Sequence, residues 1–344
     1  MSNVITQVSQ ISREWLADKL CENVAAFHIN METSTNANNA RIVVETQQGQ
    51  RQLFLKMCQG QFGNPSEVNY CARDYADLPD APIPTCYDAA YSAEQRAYHI
   101  LMDDLTKTHR SSFEIAPTLA FGCAVAVGLA TLHAHYWGQP RLTTISEAIP
   151  TQAKLDEHMR HIYPGLMPML AAVGDELDAK SQAAIPAIFE RHPAQLLART
   201  ANPIGFTLVH GDVNPGNILS PRSQNFERER IYLIDRQPFN WSLTTWLGAN
   251  DLSYMLVQWW PTELRRECEA DVLRAYHAEL VRRGVSNYSF DELWQDYRLC
   301  APQNLYTCAH WCTDAEDIVK MRWVWLPKLQ RVMAAYWGLR CDEL

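Results

Sequence analysis

Four polar residues in the middle of the chain have the types and the spacing that phosphate chemistry needs. The chain reads His-Gly-Asp at 210–212, Asn217 follows five residues after Asp212, and a later apolar run ends in Asp235. A carboxylate can orient an attacking hydroxyl and accept its proton, and carboxylate and amide oxygens are the ligands that Mg²⁺ prefers. An isolated Asn-Pro-Gly cluster would indicate only a surface turn. Strand-like residues on both sides and the second aspartate make phosphoryl transfer the favoured interpretation.

The order and spacing of these residues resemble the aminoglycoside phosphotransferase and choline kinase-like families, relatives of the protein kinases. The resemblance implies that Asp212 is the catalytic base and that Asn217 and Asp235 bind Mg²⁺. It also implies that His210 braces the catalytic loop. Asp235 is followed by Arg-Gln rather than Phe-Gly, a form closest to the choline-kinase-like and ecdysteroid-kinase-like branch. This departure favours a small-molecule substrate over a protein substrate.

Two charged residues upstream stand in the order that the resemblance requires. Lys56 ends the apolar run Leu-Phe-Leu-Lys, and Glu67 lies eleven residues later at the start of a predicted helix. The resemblance implies that Lys56 contacts the nucleotide phosphates and that Glu67 pairs with Lys56. Each residue alone has an ordinary explanation, as a charge at a strand end and as an acid in a first helical turn. Their order ahead of Asp212 favours the functional role.

Further nucleotide-binding positions are implied by the resemblance. The segment 100–105, which contains Asp103 and Asp104, resembles the linker between two lobes whose backbone receives the adenine, although a strand ending in a turn would look the same. The loop expected to cover the phosphates spans 34–40 and contains no glycine. A backbone without glycine cannot approach phosphate as closely, so the side chains of Ser34 and Thr35 would donate hydrogen bonds instead.

Two more residues are expected to support the site rather than to contact substrate. His133 lies in a helix that resembles the one packed beneath the catalytic loop, and a lone histidine there is interpreted as structural. Asp251 resembles the aspartate that secures the catalytic loop from the following helix. A helix N-cap would be compatible with the same residue type.

The elements that must position these residues fall into two groups. Apolar and β-branched runs predict strands at 41–46, 51–58, 97–102, 206–209, 217–219 and 231–234. The first two are predicted to form a hairpin, and Pro65 is predicted to open a helix over 66–77. Apolar residues three and four apart predict helices through most of the chain after residue 112 and from 248 to the end.

Segregated strands and helices predict an α+β class rather than a doubly wound parallel sheet. With the resemblance, we expect a two-lobed protein-kinase-like fold with a small β-rich N-lobe and a large, mainly helical C-lobe. Residues 1–104 would form the N-terminal nucleotide-binding lobe, and residues 105–344 the C-terminal catalytic and substrate-binding lobe.

Composition excludes some classes of protein. The 344 residues carry a formal net charge of −9, which argues against a nucleic-acid-binding face. The most apolar run, 121–132, is too short to span a bilayer, and the chain begins without a secretory signal, so we expect a cytoplasmic protein without membrane contact. The ten cysteines are expected to be reduced. A zinc site at Cys308, His310 and Cys312 is disfavoured, because helical spacing places His310 on another face than the two cysteines and no fourth ligand is near in sequence.

The sequence thus predicts a kinase that uses ATP, with GTP as an alternative, and Mg²⁺. It would transfer the γ-phosphate to a hydroxyl of a small molecule such as an amino alcohol, an aminoglycoside-like compound or another natural product. A nucleotide-binding pseudokinase with a regulatory role is the alternative from another class, supported by the glycine-free loop, and a protein kinase is a third. The oligomeric state stays open.

The acceptor is less well indicated than the reaction. An aromatic wall for an apolar or quaternary-ammonium acceptor could be formed by Phe239, Trp241, Trp246, Trp259 and Trp260. Aromatic residues more often pack a helical core, however. Asp314, Glu316 and Asp317 could attract a polyamine or aminoglycoside, although Thr313 to Glu316 has the form of a capping box. His158 and His161, three residues apart, are interpreted as part of a solvated helix face.

Overall fold

The computed structural model of the chain describes residues 4–33, 37–60, 63–145, 148–237 and 239–344. The chain divides by its internal contacts into two compact units. The first comprises Met1–Glu114 and Asn217–Asn240, and the second comprises Ile115–Gly216 and Trp241–Leu344. This division ends the first unit beyond residue 104 and adds a later segment to it. The functional lobes 1–104 and 105–344 stay a prediction.

The strands among the described residues are short outside the first unit. They are β1 (Val24–Thr33), β2 (Asn38–Thr46), β3 (Gly49–Gln59), β4 (Cys86–Ser92), β5 (Ala97–Asp103), β6 (His109–Ser111), β7 (Phe206–Leu208), β8 (Ile218–Pro221), β9 (Tyr232–Leu233) and β10 (Thr245–Leu247). The first unit holds a five-stranded antiparallel sheet in the order β1-β2-β3-β5-β4 and a three-stranded sheet in the order β6-β8-β9. In the second unit β7 pairs antiparallel with β10.

The helices begin with α1 (Arg13–Leu20) and α2 (Ser66–Asn69), which belong to the first unit. The second unit contains α3 (Leu119–His135), α4 (Gln139–Leu142), α5 (Gln152–Arg160), α6 (Leu166–Val173), α7 (Ala179–Arg199), α8 (Ala249–Ser253), α9 (Thr262–Arg282), α10 (Phe290–His310), α11 (Ala315–Lys320) and α12 (Arg322–Gly338). Within the described ranges, no helix is both long and apolar enough to cross a membrane.

The predicted hairpin is confirmed and forms the centre of the five-stranded sheet. β2 and β3 pair antiparallel from Asn38 opposite Met57 to Thr46 opposite Gly49. Side chains alternate between the two faces of a strand, and Ile42, Leu53 and Leu55 are fully buried in a cluster with residues of α1. Phe54 and Lys56, which alternate with Leu53 and Leu55 along β3, therefore point to the other face.

The helix predicted over 66–77 differs from the observed one in length and in geometry. Pro65 is the N-cap rather than the first helical residue, and the helix continues past α2 as a π-helical turn over Tyr70–Asp74. Within the first unit, the Tyr70 hydroxyl donates to the Leu233 carbonyl at 3.2 Å, and Asp74 pairs with Arg236 at 2.8 Å. These buried contacts fix the end of the helix, and a local pattern does not reveal them.

A second π-helical segment follows α8 and spans Tyr254–Trp259. Trp260 ends it in an extended conformation, and Pro261 precedes α9. Such segments are rare and concentrate at functional sites. Trp260, the residue that ends this segment, is tightly packed against α3. A Cβ added to Gly122 of α3 would lie 2.7 Å from the Trp260 ring.

Candidate active site

The first unit brings together three of the predicted site residues. Lys56 of β3 donates to Glu67 of α2 with an Nζ–Oε2 distance of 2.8 Å, and the same ammonium contacts Oδ1 of Asp235. The side chains of Lys56 and Glu67 are 16% and 7% exposed, whereas that of Asp235 is 43% exposed. The predicted lysine–glutamate pair is therefore present, and the exposed aspartate is the partner that is accessible to a ligand.

The charges of this cluster act on one another in a largely dehydrated place. Burial lowers the pKa of Lys56, but the negative charges of Glu67 and Asp235 outweigh it and raise the pKa above its usual value. Burial raises the pKa of Glu67, and the nearby Asp235 adds to the rise while Lys56 opposes it. Tyr98 of β5 also donates to Oε2 of Glu67 at 2.5 Å. Nothing in the sequence indicated a role for this tyrosine, because strand residues of its type usually pack in the core.

Asn217 and Asp235 lie together at the ends of two paired strands. β8 and β9 pair antiparallel, and the Ile234 N–H donates to the Asn217 carbonyl at 2.9 Å. The Asn217 side-chain amide donates from Nδ2 to the Asp235 carbonyl at 3.2 Å. Asp235 has a φ of +57°, in the left-handed region where aspartate is tolerated better than most residues.

This donor set fits Mg²⁺ in its chemistry. An amide oxygen and a carboxylate are hard oxygen ligands, and Mg²⁺ usually takes only one or two carboxylates from the protein together with phosphate oxygens. The amide nitrogen of Asn217 is used towards the backbone, which makes its oxygen the atom suited to a cation. Across the described ranges there is no group of three or more His, Cys, Asp or Glu side chains that could hold a metal.

The predicted base, Asp212, lies in the second unit and is held by uncharged donors. Its Oδ1 accepts the Tyr254 hydroxyl at 2.8 Å and the Asn214 side-chain amide at 3.0 Å. The Asn214 Oδ1 in turn accepts the Gly216 N–H at 2.7 Å. Gly211, directly before Asp212, has a φ of +79°, which glycine adopts without steric cost. Tyr254 was not predicted from the sequence, although it stands three residues after Asp251 on the same helical face.

Asp251 secures the segment before the base. Its Oδ2 accepts the His210 N–H at 2.7 Å and its Oδ1 accepts the Gly211 N–H at 2.9 Å. His133 of α3 lies 3.1 Å from Oδ2 through Nε2, and its Nδ1 lies 2.8 Å from the Tyr276 hydroxyl. The helix N-cap is Gly248 and makes no side-chain cap, so Asp251 does not serve as the N-cap.

The electrostatics of Asp251 follow from these contacts. Asp251 is fully buried. Burial raises the pKa of its carboxyl, but the hydrogen bond and charge of His133, with the contributions of His210 and the Gly211 N–H, outweigh it and lower the pKa. The His210 ring is also buried, and its Nδ1 accepts the Asp212 N–H at 3.4 Å. His133, His210 and Asp251 therefore form one support beneath the segment that carries Asp212.

Two further residues predicted to bind the nucleotide, Asp103 and Asp104, have hydrogen-bond partners within the first unit. The Asp103 side chain accepts the Tyr87 hydroxyl at 2.6 Å, and Asp104 accepts two bonds from Arg41 at 2.8 Å. The N–H groups of both aspartates donate to backbone carbonyls within the first unit. An adenine bound at this segment would therefore need other backbone groups. Ser34 and Thr35 lie outside the described residues.

The predicted aromatic residues differ in burial: Trp246 is buried, whereas Trp241 is half-buried. Trp246 is completely buried and donates to Gln303 at 2.9 Å, so it packs the core. Trp241 is stacked on His161, with ring centroids 4.6 Å apart, and also contacts His158 and His310. The interpretation of His158 as solvated is wrong, because its side chain is buried, and burial lowers its pKa to about 4.

The acidic group near residue 314 caps a helix, with a shift of one position from the prediction. The Asp314 side chain accepts the N–H groups of Glu316 at 2.8 Å and Asp317 at 3.4 Å. Thr313, the predicted cap, instead donates to the His310 carbonyl. Aspartate is a strong N-cap residue, which explains why it takes this position.

The chain is similar in sequence to one described family and in structure to several phosphotransferases. The model of the ecdysteroid kinase-like family matches residues 72–285. A comparison with curated proteins found no match to the chain. The structure is similar to that of spectinomycin phosphotransferase in complex with ADP and spectinomycin, with a TM-score of 0.54 and 14% identity over 96% of this chain and 99% of that one.

Two further solved structures lead to the same fold. The GDP complex of aminoglycoside 2′-phosphotransferase-IIIa matches with a TM-score of 0.51 and 13% identity over 96% of this chain and 95% of that one. Ethanolamine kinase of Plasmodium vivax matches with a TM-score of 0.52 and 11% identity over 93% of this chain and 85% of that one. The predicted α+β, protein-kinase-like fold is confirmed, as is the resemblance to the ecdysteroid-kinase-like branch.

Proposed function

Because the chain belongs to the ecdysteroid kinase-like family, we propose that it transfers the γ-phosphate of ATP, with Mg²⁺, to a hydroxyl group of a small molecule. The observation that carries the proposal is the contact of Lys56 with both Glu67 and Asp235, beside Asn217. A phosphoryl group is transferred largely by positioning and by neutralising charge. A lysine held between two acids and an amide–carboxylate pair supply the groups for both tasks.

On the phosphate side, Lys56 would bind the α- and β-phosphates, and Glu67 would hold Lys56 in place. When nucleotide enters, phosphate oxygens would replace the carboxylate of Asp235 as partners of the Lys56 ammonium. Asn217 and Asp235 would then hold Mg²⁺ through their side-chain oxygens. The metal, when bound, spreads and neutralises the negative charge of the phosphates.

On the acceptor side, Asp212 would orient the attacking hydroxyl and accept its proton. The hydrogen bonds from Tyr254 and Asn214 fix the direction of one carboxylate oxygen, and a well-placed base contributes about a hundredfold or more to the rate. Asp251, His133 and His210 would act through the backbone that carries Asp212 and would not contact the substrate.

The nucleotide and the acceptor are supported only as classes. Structures similar to this one were solved with ADP and with GDP, which supports nucleotide binding without choosing between ATP and GTP. An amino alcohol, an aminoglycoside-like compound and another natural product remain the proposed acceptor classes. The cytoplasmic location and the pseudokinase alternative stay predictions, and the glycine-free loop behind the alternative includes residues outside the described ones.

The test is turnover by the purified full chain with MgATP and a broad panel of alcohols, followed as ADP release and as product mass. Asp212→Asn is expected to lower kcat at least about a hundredfold while ATP binding persists, since only proton acceptance is lost. Asp271→Asn is the matched control, because that aspartate is exposed and pairs with Arg274 in the same helix. Turnover of Asp212→Asn within about tenfold of the wild type would contradict the proposal.

A further inference from the structure

One buried lysine has no role in the proposed reaction but lies near Tyr254, the residue whose hydroxyl donates to Asp212. Lys328 of α12 is 3% exposed. Its ammonium lies 3.9 Å from the ring centroid of Trp259 and 6.0 Å from that of Tyr254. Within the part of the chain that the structure describes, Lys328 forms an ion pair with none of the carboxylates. Burying an ammonium without such a pair is costly, so its retention needs a reason.

Lys328 and Asp212 share Tyr254 as a neighbour. The Tyr254 hydroxyl donates to Asp212 at 2.8 Å, and the Tyr254 ring contacts the Lys328 ammonium. Burial lowers the pKa of Lys328 to about 8, and the charges of Cys308 and Asp212 oppose that shift. The predicted base, Asp212, therefore lies within electrostatic range of a cation, Lys328, that forms no ion pair with the described carboxylates.

A second cation of α12 lies against the same π-helical segment. Arg331, three residues after Lys328, donates from Nη1 to the Gln258 carbonyl at 2.9 Å. Burial lowers the pKa of its guanidinium, and none of the described acids forms an ion pair with it. Tyr254–Trp259 is thus lined by positive charge from α12, in a chain whose formal net charge is −9.

This arrangement opposes both ways of binding a cationic acceptor. Lys328 and Arg331 are cations beside Tyr254–Trp259, so they would repel a polyamine. One face of the Trp259 ring, which could attract a quaternary ammonium by a cation–π contact, is occupied by the Lys328 ammonium. A second positive charge within about 8 Å of the first would lose roughly thirtyfold in affinity at an effective dielectric constant of about 20.

We propose that Lys328 is a specificity-determining residue that restricts acceptors at Asp212 to alcohols without a positive charge. This narrows the acceptor classes proposed above, because it excludes amino alcohols and aminoglycoside-like compounds that carry a cationic amine. This inference rests on the proposed phosphotransferase function. It assigns to Lys328 a task that a packing residue would not have, since a methionine of similar length would fill the same volume without the cost of a buried charge.

The experiment compares two acceptors that differ in charge and hardly in shape, choline and 3,3-dimethylbutan-1-ol. With MgATP, the wild type is expected to favour the uncharged alcohol at least tenfold in kcat/KM. Lys328→Met should reduce that preference at least tenfold, and Lys328→Arg should keep it. If neither small alcohol is turned over, glucose and glucosamine provide the same comparison.

The control variant is Lys180→Met, because Lys180 also places its ammonium over a tryptophan, 3.6 Å from the Trp337 centroid, but is exposed on α7. Its charge preference should equal that of the wild type. ATP affinity and the unfolding temperature establish that each variant is folded, and Arg331→Gln provides a second test if Lys328→Met is not.

Three results would overturn the inference. The wild type could prefer the cationic acceptor, Lys328→Met could leave the preference unchanged, or it could lower kcat equally for all acceptors, as a structural role predicts. Transfer to no alcohol at all is a different failure, since it contradicts the phosphotransferase function itself.

Discussion

The two aspartates that the proposed reaction uses are held by opposite means. Asp235 of the first unit contacts the ammonium of Lys56, whereas Asp212 of the second unit accepts hydrogen bonds from the uncharged side chains of Tyr254 and Asn214. A charged partner can be exchanged for another cation, as a metal ligand requires. Neutral donors fix the direction of a carboxylate and leave its charge available for a proton. We therefore expect Asp235 to exchange its partner during the proposed reaction and Asp212 to keep its orientation.

The largest expected effect is at Asp251, the buried acid that holds the backbone before Asp212. Asp251→Ala leaves the N–H groups of His210 and Gly211 and the His133 ring without their acceptor. We expect the free energy of unfolding to fall by about 3–5 kcal/mol, measured by urea denaturation. Asp251→Asn, which keeps one acceptor oxygen, should cost less. A loss below about 1 kcal/mol for the alanine variant would mean that the support is not what holds this segment.

The second unit is also expected to lose stability in acid through a buried histidine. The pKa of His158 is lowered to about 4 by burial, so its contribution is present above pH 6.5, the unfolded value, and is lost as the pH falls towards 4. The advantage of the wild type over His158→Gln in unfolding free energy should shrink by about 2–3 kcal/mol between pH 7 and pH 4.5.

His192 gives an independent check of this pH dependence of the unfolding free energy. It is also buried, burial lowers its pKa to about 4, and it contacts the Tyr306 hydroxyl at 2.8 Å. His192→Gln should show the same change with pH. The prediction would be contradicted if the difference in unfolding free energy between the wild type and each variant stayed constant between pH 7 and pH 4.5.

The charge pair of the first unit is tested by Glu67→Gln. The substitution keeps an acceptor for the Tyr98 hydroxyl but removes one of the two negative charges around Lys56. A hydrogen bond to a charged group contributes about 1.5–3 kcal/mol, so we expect kcat/KM for ATP to fall roughly tenfold to a hundredfold. Glu263→Gln is the control, since its side chain is 78% exposed. An unchanged kcat/KM would remove Glu67 from the nucleotide machinery.

The smallest expected effects come from a matched pair of hydroxyl deletions. Tyr254→Phe removes the donor to Asp212, and Tyr98→Phe removes the donor to Glu67. Each hydroxyl donates to a carboxylate that keeps another donor, Asn214 for Asp212 and Lys56 for Glu67. We therefore expect a loss at the low end of the range for hydrogen bonds to charged groups, about 1.5 kcal/mol or roughly tenfold, in each variant. The loss should be in kcat for Tyr254→Phe and in KM for ATP for Tyr98→Phe. The same kinetic signature in both would break the distinction between the two units.

The sequence predicted the interior of the five-stranded sheet and missed its margins. β2, β3 and β5 are interior strands with one or both faces buried, so their apolar patterns are clear. β1 and β4 are the edge strands, and most of their residues are exposed or half-buried. An edge strand buries less and tolerates polar residues, which leaves a weak periodic signal.

The site was predicted only as far as its residues follow one another in a fixed order. Lys56, Glu67 and Asp235 could be named from the motif, and the structure brings them into contact. Tyr98 and Lys328 are remote in sequence from the groups they affect, and a tyrosine in a strand or a lysine in a helix is ordinary. Their partners are set by tertiary packing, which no local pattern records.

The π-helical segment Tyr254–Trp259 has a consequence for how this fold can diversify. A π-helical turn closes with a hydrogen bond between residues five apart, about one residue more than an α-helical turn. Loss of a single residue there would rotate side chains within the segment by about 100°. The α-helical turn that replaced the π-helical one would leave α9 in its own packing. A one-residue deletion could therefore replace the group that faces Asp212, so that insertions and deletions, and not point substitutions alone, would be a route to new acceptors.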